Sequence, residues 1–221
     1  MQFDVLTLFP EMYAPLKESI LKRAQGNGKI QINIINIRDF SKDKHQKVDD
    51  TPYGGGAGMV IRPDVVYDAY NSISKKDNAK VIYLSPQGTK LNQQKVIELS
   101  KEKHLILLCG HYEGIDQRVL DEIVDEEISI GDYILTGGEL PSMVLIDSIS
   151  RNIDGVLNRE SIEDESFSDN LLEYPQYTRP EVFLDKKVPE ILISGHHENI
   201  RKWREEKKLE ITKKKRPDLL K

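Results

Sequence analysis

Short apolar runs of strand length alternate with stretches of helical spacing through the first two-thirds of the chain. "FDVLTLF" (3–9), "KIQINIINI" (29–37), "AKVIYLS" (79–85) and "HLILLCG" (104–110) are rich in Val, Ile and Leu. The last two are apolar on both faces, which predicts central strands of a covered parallel sheet. Between the runs, "EMYAPLKESILKRAQ" and "LNQQKVIELSKEK" place apolar residues at helical spacing, with Asn92 positioned to cap the second. "IDQRVLDEIVDEE" and "ELPSMVLIDSISRNI" continue the alternation. The pattern predicts an α/β class with a mostly parallel sheet.

Near residue 154 the periodicity stops. "DGVLNRESIEDESFSDN" is polar and acidic, and "LLEYPQYTRPEVF" after it is turn-rich because of Pro175 and Pro180. The remainder reads as helical and basic. The expected organisation is a domain over 1–154, a flexible acidic connection over 155–173, and a basic helical domain over 174–221. The net charge of −5 hides this asymmetry: residues 186–221 hold twelve Lys/Arg against six Asp/Glu. A basic tail of this kind suits a polyanion, or a solvated helix face.

Composition narrows the classes further. No apolar run approaches the ~20 residues of a membrane span. With 38% hydrophobic and 31% charged residues, a soluble cytosolic protein is expected. "MQFDVLTLFPEM" lacks a basic leader region and reads as a first strand. The single cysteine, Cys109, lies in an apolar run and reads as a packed thiol. No CxxC or HExxH is present, and the adjacent pair His196–His197 would point apart on a helix, so no protein-held metal centre is expected.

The glycines are more informative. "PYGGGAGM" (52–59) matches neither a Walker loop, which needs Gly-Lys-Ser/Thr, nor a dinucleotide fingerprint. Three further glycine-bearing turns follow strand candidates: "SPQGTKL", "GHYEGID" and "SIGDYILTGGELP". Ligands of open α/β sheets bind beyond the carboxyl ends of strands. Three such turns carrying Tyr112, Glu113, Asp132, Tyr133 and Glu139 therefore predict a small-molecule pocket, its chemistry left open.

"LSPQG", "CGHYEGID", "SIGDYILTGGELP", "PYGGGAGM", "LLEYPQYTRP" and "SGHHENIRKWR" resemble motifs of the bacterial tRNA (guanine-N1)-methyltransferases, members of the SPOUT class of knotted methyltransferases. The resemblance covers nearly the whole chain. It implies a deep trefoil knot at the carboxyl side of the first domain, formed by the three loops and holding S-adenosylmethionine. Periodicity alone would have given an open doubly wound sheet. By similarity the cofactor is lined by Ser85 and Pro86, by Gly110, Tyr112, Glu113 and Gly114, and by Ile130, Gly131, Asp132, Tyr133, Ile134 and Leu135. It further implies a homodimer with its active site at the subunit interface and a tRNA substrate. Gly54, Gly55 and Gly56 would form a loop at the pocket mouth, and Arg201, Lys202 and Arg204 would hold the RNA backbone. Trp203 reads as the packing anchor of the helical domain.

The implied reaction is methylation of N1 of the guanosine immediately 3′ of the anticodon. It needs a base for the N1 proton and a donor for the charge developing on O6. The family pattern places an aspartate before Ser-Phe in the linker; here that position is Glu165. Glu165 is the expected base, with Asp164 and Asp169 as alternatives. Arg151 is the expected partner of O6, although as a helix-terminal cation it also complements the dipole. His45, Asp49 and Asp50 are weaker candidates for RNA contact, and His111 is not expected to act in catalysis. The acidic linker would fit a magnesium dependence. Two readings stay open beside the main one: a SPOUT ribose 2′-O-methyltransferase, and a non-catalytic RNA-binding protein with a vestigial cofactor site.

Overall fold

Five parallel strands carry the first part of the chain in a computed structural model that describes residues 1–74, 78–158 and 165–220. By internal contacts the chain divides into two units, Met1–Leu157 and Asn158–Lys221. In the first, β1 (Gln2–Thr7), β2 (Gln31–Asn36), β5 (Lys80–Lys90), β6 (His104–Cys109) and β7 (Glu126–Ser129) form a sheet of order β2-β1-β6-β5-β7. A separate antiparallel pair, β3 (Asp49–Asp50) and β4 (Val60–Ile61), brackets the glycine string.

Alternate residues of the central strands feed two apolar layers, as the period of an extended chain requires. Phe3, Val5, Ile82, Leu105 and Leu107 pack on one face with α1 (Ser19–Gly26), α3 (Gln93–Leu99) and α5 (Glu139–Arg151). Leu6, Val81, Tyr83, Ile106 and Leu108 pack on the other with α2 (Pro63–Asn71) and α4 (Gln117–Ile123). The sheet is covered on both sides, which is why β6 is buried at every position.

Polar side chains set the register where the apolar pattern alone would tolerate slippage. The buried Asp4 on β1 accepts from Asn33 Nδ2 of β2 at 2.6 Å and lies 2.5 Å from His104 Nε2 of β6. At the far edge, Glu126 of β7 pairs with Lys80 of β5 at 2.6 Å and Lys95 of α3 at 3.0 Å.

Two helical expectations are modified. The stretch from Glu11 to Gln25 divides into a 3-10 segment, Pro10–Lys17, and α1, because Pro15 cannot donate to a continuous α ladder. The helix in "IDQRVLDEIVDEE" ends at Ile123, and the last residues of that run turn into β7. The Asn92 cap forms as expected, its Oδ1 accepting from Lys95 N at 2.8 Å.

In the second unit, hairpin strands β8 (Val182–Phe183) and β9 (Lys186–Lys187) precede α6 (Glu190–Ile193) and the long helix α7 (His197–Lys215). Its interior holds Tyr174, Thr212 and the aliphatic stem of Lys208. The Trp203 ring lies 6.4 Å from that of Tyr177. Among the described residues, no helix is long and apolar enough to cross a membrane.

Candidate active site

The three glycine-bearing turns meet around one cavity of about 290 Å³ beyond the carboxyl ends of β5, β6 and β7. The first is a detour: β5 leaves its ladder with β7 after Leu84 and rejoins it at Thr89, both residues facing Ile128. Ser85 and Pro86 line the cavity from the residues between. The second turn follows β6 and contributes Gly110, Tyr112, Glu113 and Gly114. The third crosses back from β7 toward the end of β6, contributing Ile130, Gly131, Tyr133, Ile134 and Leu135, and is tied there by Gly138 N donating to Gly110 O at 2.9 Å. Asp132 is the one expected cofactor residue outside the lining; its carboxylate pairs with Lys90. Tyr112 adopts the left-handed conformation at φ +57°, a strain that a non-glycine residue tolerates only where its surroundings hold it.

The walls have a definite electrostatic character. The charged side chains that line the cavity are Glu113 and Glu127, and no lysine or arginine is among them. Phosphate-bearing ligands want cationic or helix-terminal partners, so these walls favour an uncharged or cationic molecule instead. Behind the cavity a buried polar layer fixes α5: Thr7 Oγ1 donates to the buried Glu139 carboxylate at 2.8 Å, and Tyr13 Oη meets Ser142 Oγ at 2.7 Å. Burial pushes the Cys109 thiol up to about 12, so this cysteine is an inert packing group. Among the described residues, no group of three or more His, Cys, Asp or Glu side chains converges as a metal site.

The glycine string stands beside this cavity. Residues 51–59 join β3 to β4, and β4 is bonded to the second turn: Glu113 N donates to Met59 O at 3.0 Å, and Ile61 N to Gly114 O at 2.9 Å. Gly54, Gly55 and Gly56 have positive φ and nothing within 4 Å of where a Cβ would stand. Gly58 differs. At φ +86°, its missing Cβ leaves the space taken by the Glu113 side chain, whose Cδ would lie 2.8 Å away. The loop is thus open at its tip and pressed against a cavity wall at its base.

The expected chemical residues lie on both units. Arg151 is the last residue of α5 and is half-buried. Glu165 opens a turn in which its carbonyl accepts from Ser168 Oγ at 2.7 Å. Asp164 lies outside the described residues. Asp169 has both oxygens engaged: Oδ1 accepts from Leu171 N at 3.2 Å, and Oδ2 pairs with the nearly buried Lys208 at 3.2 Å. Asp169 therefore fastens the end of the acidic stretch to α7. On α7, Arg201 and Lys202 are exposed, whereas the Arg204 guanidinium stacks 4.7 Å from the Tyr174 ring centre.

The chain matches the family model described as tRNA (Guanine-1)-methyltransferase TrmD over residues 1–221. It is 61% identical over 223 residues to the tRNA (guanine-N(1)-)-methyltransferase of Ruminiclostridium cellulolyticum, which covers 99% of this chain and 96% of that protein. The enzyme of the same name from Caldanaerobacter subterraneus subsp. tengcongensis is 60% identical, covering 100% of this chain and 92% of its own length. That of Clostridioides difficile is 57% identical, with 100% and 98% covered. A family match from end to end, with relatives this similar over their whole lengths, places the chain in the tRNA (guanine-1)-methyltransferase TrmD family.

Proposed function

We propose that the protein methylates N1 of the guanosine immediately 3′ of a tRNA anticodon, with S-adenosylmethionine as the methyl donor. The observation that carries this reading is the convergence of three separate turns on one cavity whose charged walls are acidic. Such walls suit a sulfonium cation. S-adenosylmethionine bound there supplies an already activated methyl group, so no covalent enzyme intermediate is required.

The chain's own task is to prepare the acceptor. Guanine N1 holds a proton at neutral pH, and Glu165 takes it as general base, a role typically worth about 10²–10⁴ in rate. Arg151 stabilises the negative charge developing on O6. The glycine-rich loop is thin enough at Gly54, Gly55 and Gly56 to admit an extruded base and its phosphates. Arg201 and Lys202, with their neighbours on α7, grip the RNA backbone. The 1–154 domain carries methyl-donor binding, and the basic domain beyond residue 174 carries RNA binding.

Two architectural expectations belong to the same reading. The third turn crosses the ends of β5 and β6, and α5 then packs on the opposite face of the sheet from α4; this path supports a knotted chain. A homodimer is supported by apolar side chains left in water on and beside α5, among them Met12, Leu140, Val144 and Ile134.

The test uses an unmodified tRNA transcript with guanosine 3′ of the anticodon and a matched adenosine transcript, read by primer extension. N1-methylation blocks base pairing, so a stop at that nucleotide in the guanosine transcript alone is expected. Absence of a stop, with methyl-donor binding demonstrated, overturns the proposal in favour of ribose methylation or silent RNA binding.

A further inference from the structure

The segment that carries Glu165 is closed on itself and fastened to α7. Its ends are joined by Glu173 N donating to Ser166 Oγ at 3.0 Å, and inside that closure Phe167 N donates to Leu171 O at 2.8 Å. Glu165 is bound into the first turn, its carbonyl accepting from Ser168 N at 3.3 Å as well as from Ser168 Oγ. Phe167 and Asn170 take left-handed backbone, at φ +74° and +61°. Residues other than glycine keep that conformation only where their surroundings hold it.

Two side chains of α7, four residues apart and so on one face of the helix, supply that hold. Thr212 is fully buried; its Oγ1 accepts from Leu172 N at 2.8 Å and donates to Lys208 O at 2.7 Å. Lys208 is only 3% exposed, and its Nζ lies 3.2 Å from Asp169 Oδ2 and 3.7 Å from Glu205 Oε1. A lysine this deep must be paired, because it has no water to fall back on. The link to Asp169 therefore constrains the segment more than a surface pair of the same length would. Farther along, the Arg216 guanidinium stands 5.9 Å from the centre of the Phe167 ring. The same helix carries Arg201 and Lys202 near its start. At a rise of about 1.5 Å per residue, Lys202 and Lys208 are roughly 9 Å apart along one rigid rod.

We propose that Lys208 is a positioning residue for methyl transfer. Acting through Asp169, and aided by the Thr212 bond to Leu172, it fixes Glu165 in register with the RNA-gripping side chains of α7. This inference rests on the reading of Glu165 as the base.

The experiment measures single-turnover methylation of the guanosine transcript by the full chain at saturating S-adenosylmethionine. Lys208→Met keeps the buried stem and removes the charge; Thr212→Val keeps the shape and removes the acceptor for Leu172 N. In each, the rate should fall about three- to tenfold, with the Kd values for tRNA and S-adenosylhomocysteine within about twofold of the unaltered protein's. A double-mutant cycle separates positioning from packing. With Glu165→Gln already in place, neither substitution should cost further rate, because a misplaced amide takes no proton. An equal loss in both backgrounds makes Lys208 and Thr212 packing residues and overturns the proposal. Rates within about twofold of the unaltered protein in both single variants overturn it as well. A full rate in Glu165→Gln alone refutes the assignment of the base, and this inference with it.

Discussion

Gly58 offers a sharp test of how the glycine string relates to the cavity. In Gly58→Ala the new methyl group meets the Glu113 side chain at several atoms closer than 3.0 Å, and the backbone at φ +86° disfavours any Cβ. The conformational part is about 1–2 kcal/mol. For a domain of this size that corresponds to a fall of roughly 2–8 °C in unfolding temperature. Gly54→Ala is the matched control: its φ is +87°, and nothing lies within 4 Å of the added carbon. The two variants share the strain and differ in the contact with Glu113. Calorimetry with S-adenosylmethionine, in the absence of RNA, then separates the effects. Gly58→Ala should weaken binding about tenfold or more by displacing an acidic wall group, the scale of a lost charged hydrogen bond, while Gly54→Ala leaves it unchanged. Equal affinities in the two variants would refute the coupling between loop and cavity.

Four other outcomes are expected. Glu165→Gln should lower kcat about 10²–10⁴-fold with tRNA affinity retained, whereas Asp169→Asn should cost less than about tenfold in kcat and lower stability instead; single-turnover assays and thermal melts distinguish them. Cys109 should resist alkylation at pH 8 in the folded protein and react promptly in denaturant, because burial holds its thiol near 12. Burial alone would raise the Glu126 carboxyl, but Lys80 and Lys95 outweigh it and hold the group below its ordinary 4.5. Its stabilising contribution is therefore present above that pH and lost as pH falls through the folded value, so Glu126→Gln should flatten the acid limb of a plot of unfolding temperature against pH. Leu140→Asp should elute at the mass of a single chain in size-exclusion chromatography with light scattering, the unaltered protein at twice that mass.

The elements that sequence reveals here are those whose pattern is local. Val81 to Leu84 and Leu105 to Cys109 announce buried strands because both faces are apolar, and Asn92 announces its helix start because capping needs one side chain and one turn. β7 is half hidden because its first two residues, Glu126 and Glu127, continue a helical spacing, and only pairing with β5 makes them extended. The strand order is equally opaque: nothing near Gln2 says that β1 will sit between β2 and β6. At the site, the glycine-bearing turns were legible as turns. Tyr83 was not, since a phenol beneath two glycines looks like any strand aromatic until the second turn folds over it. The Asp169–Lys208 pair joins residues too distant in sequence for any periodicity to link them.

The placement of β1 has a consequence for how the protein is made. Its buried Asp4 finds His104 only 100 residues later in the chain. At synthesis rates of about 5–20 residues per second, the nascent first strand waits roughly 5–20 s with one edge open and a carboxylate short of its partner. β5, made in the interval, has no place in the sheet until β6 is laid down between it and β1. The turns that line the cavity follow β5, β6 and β7, so the ligand site cannot take shape until the chain beyond β7 has been made.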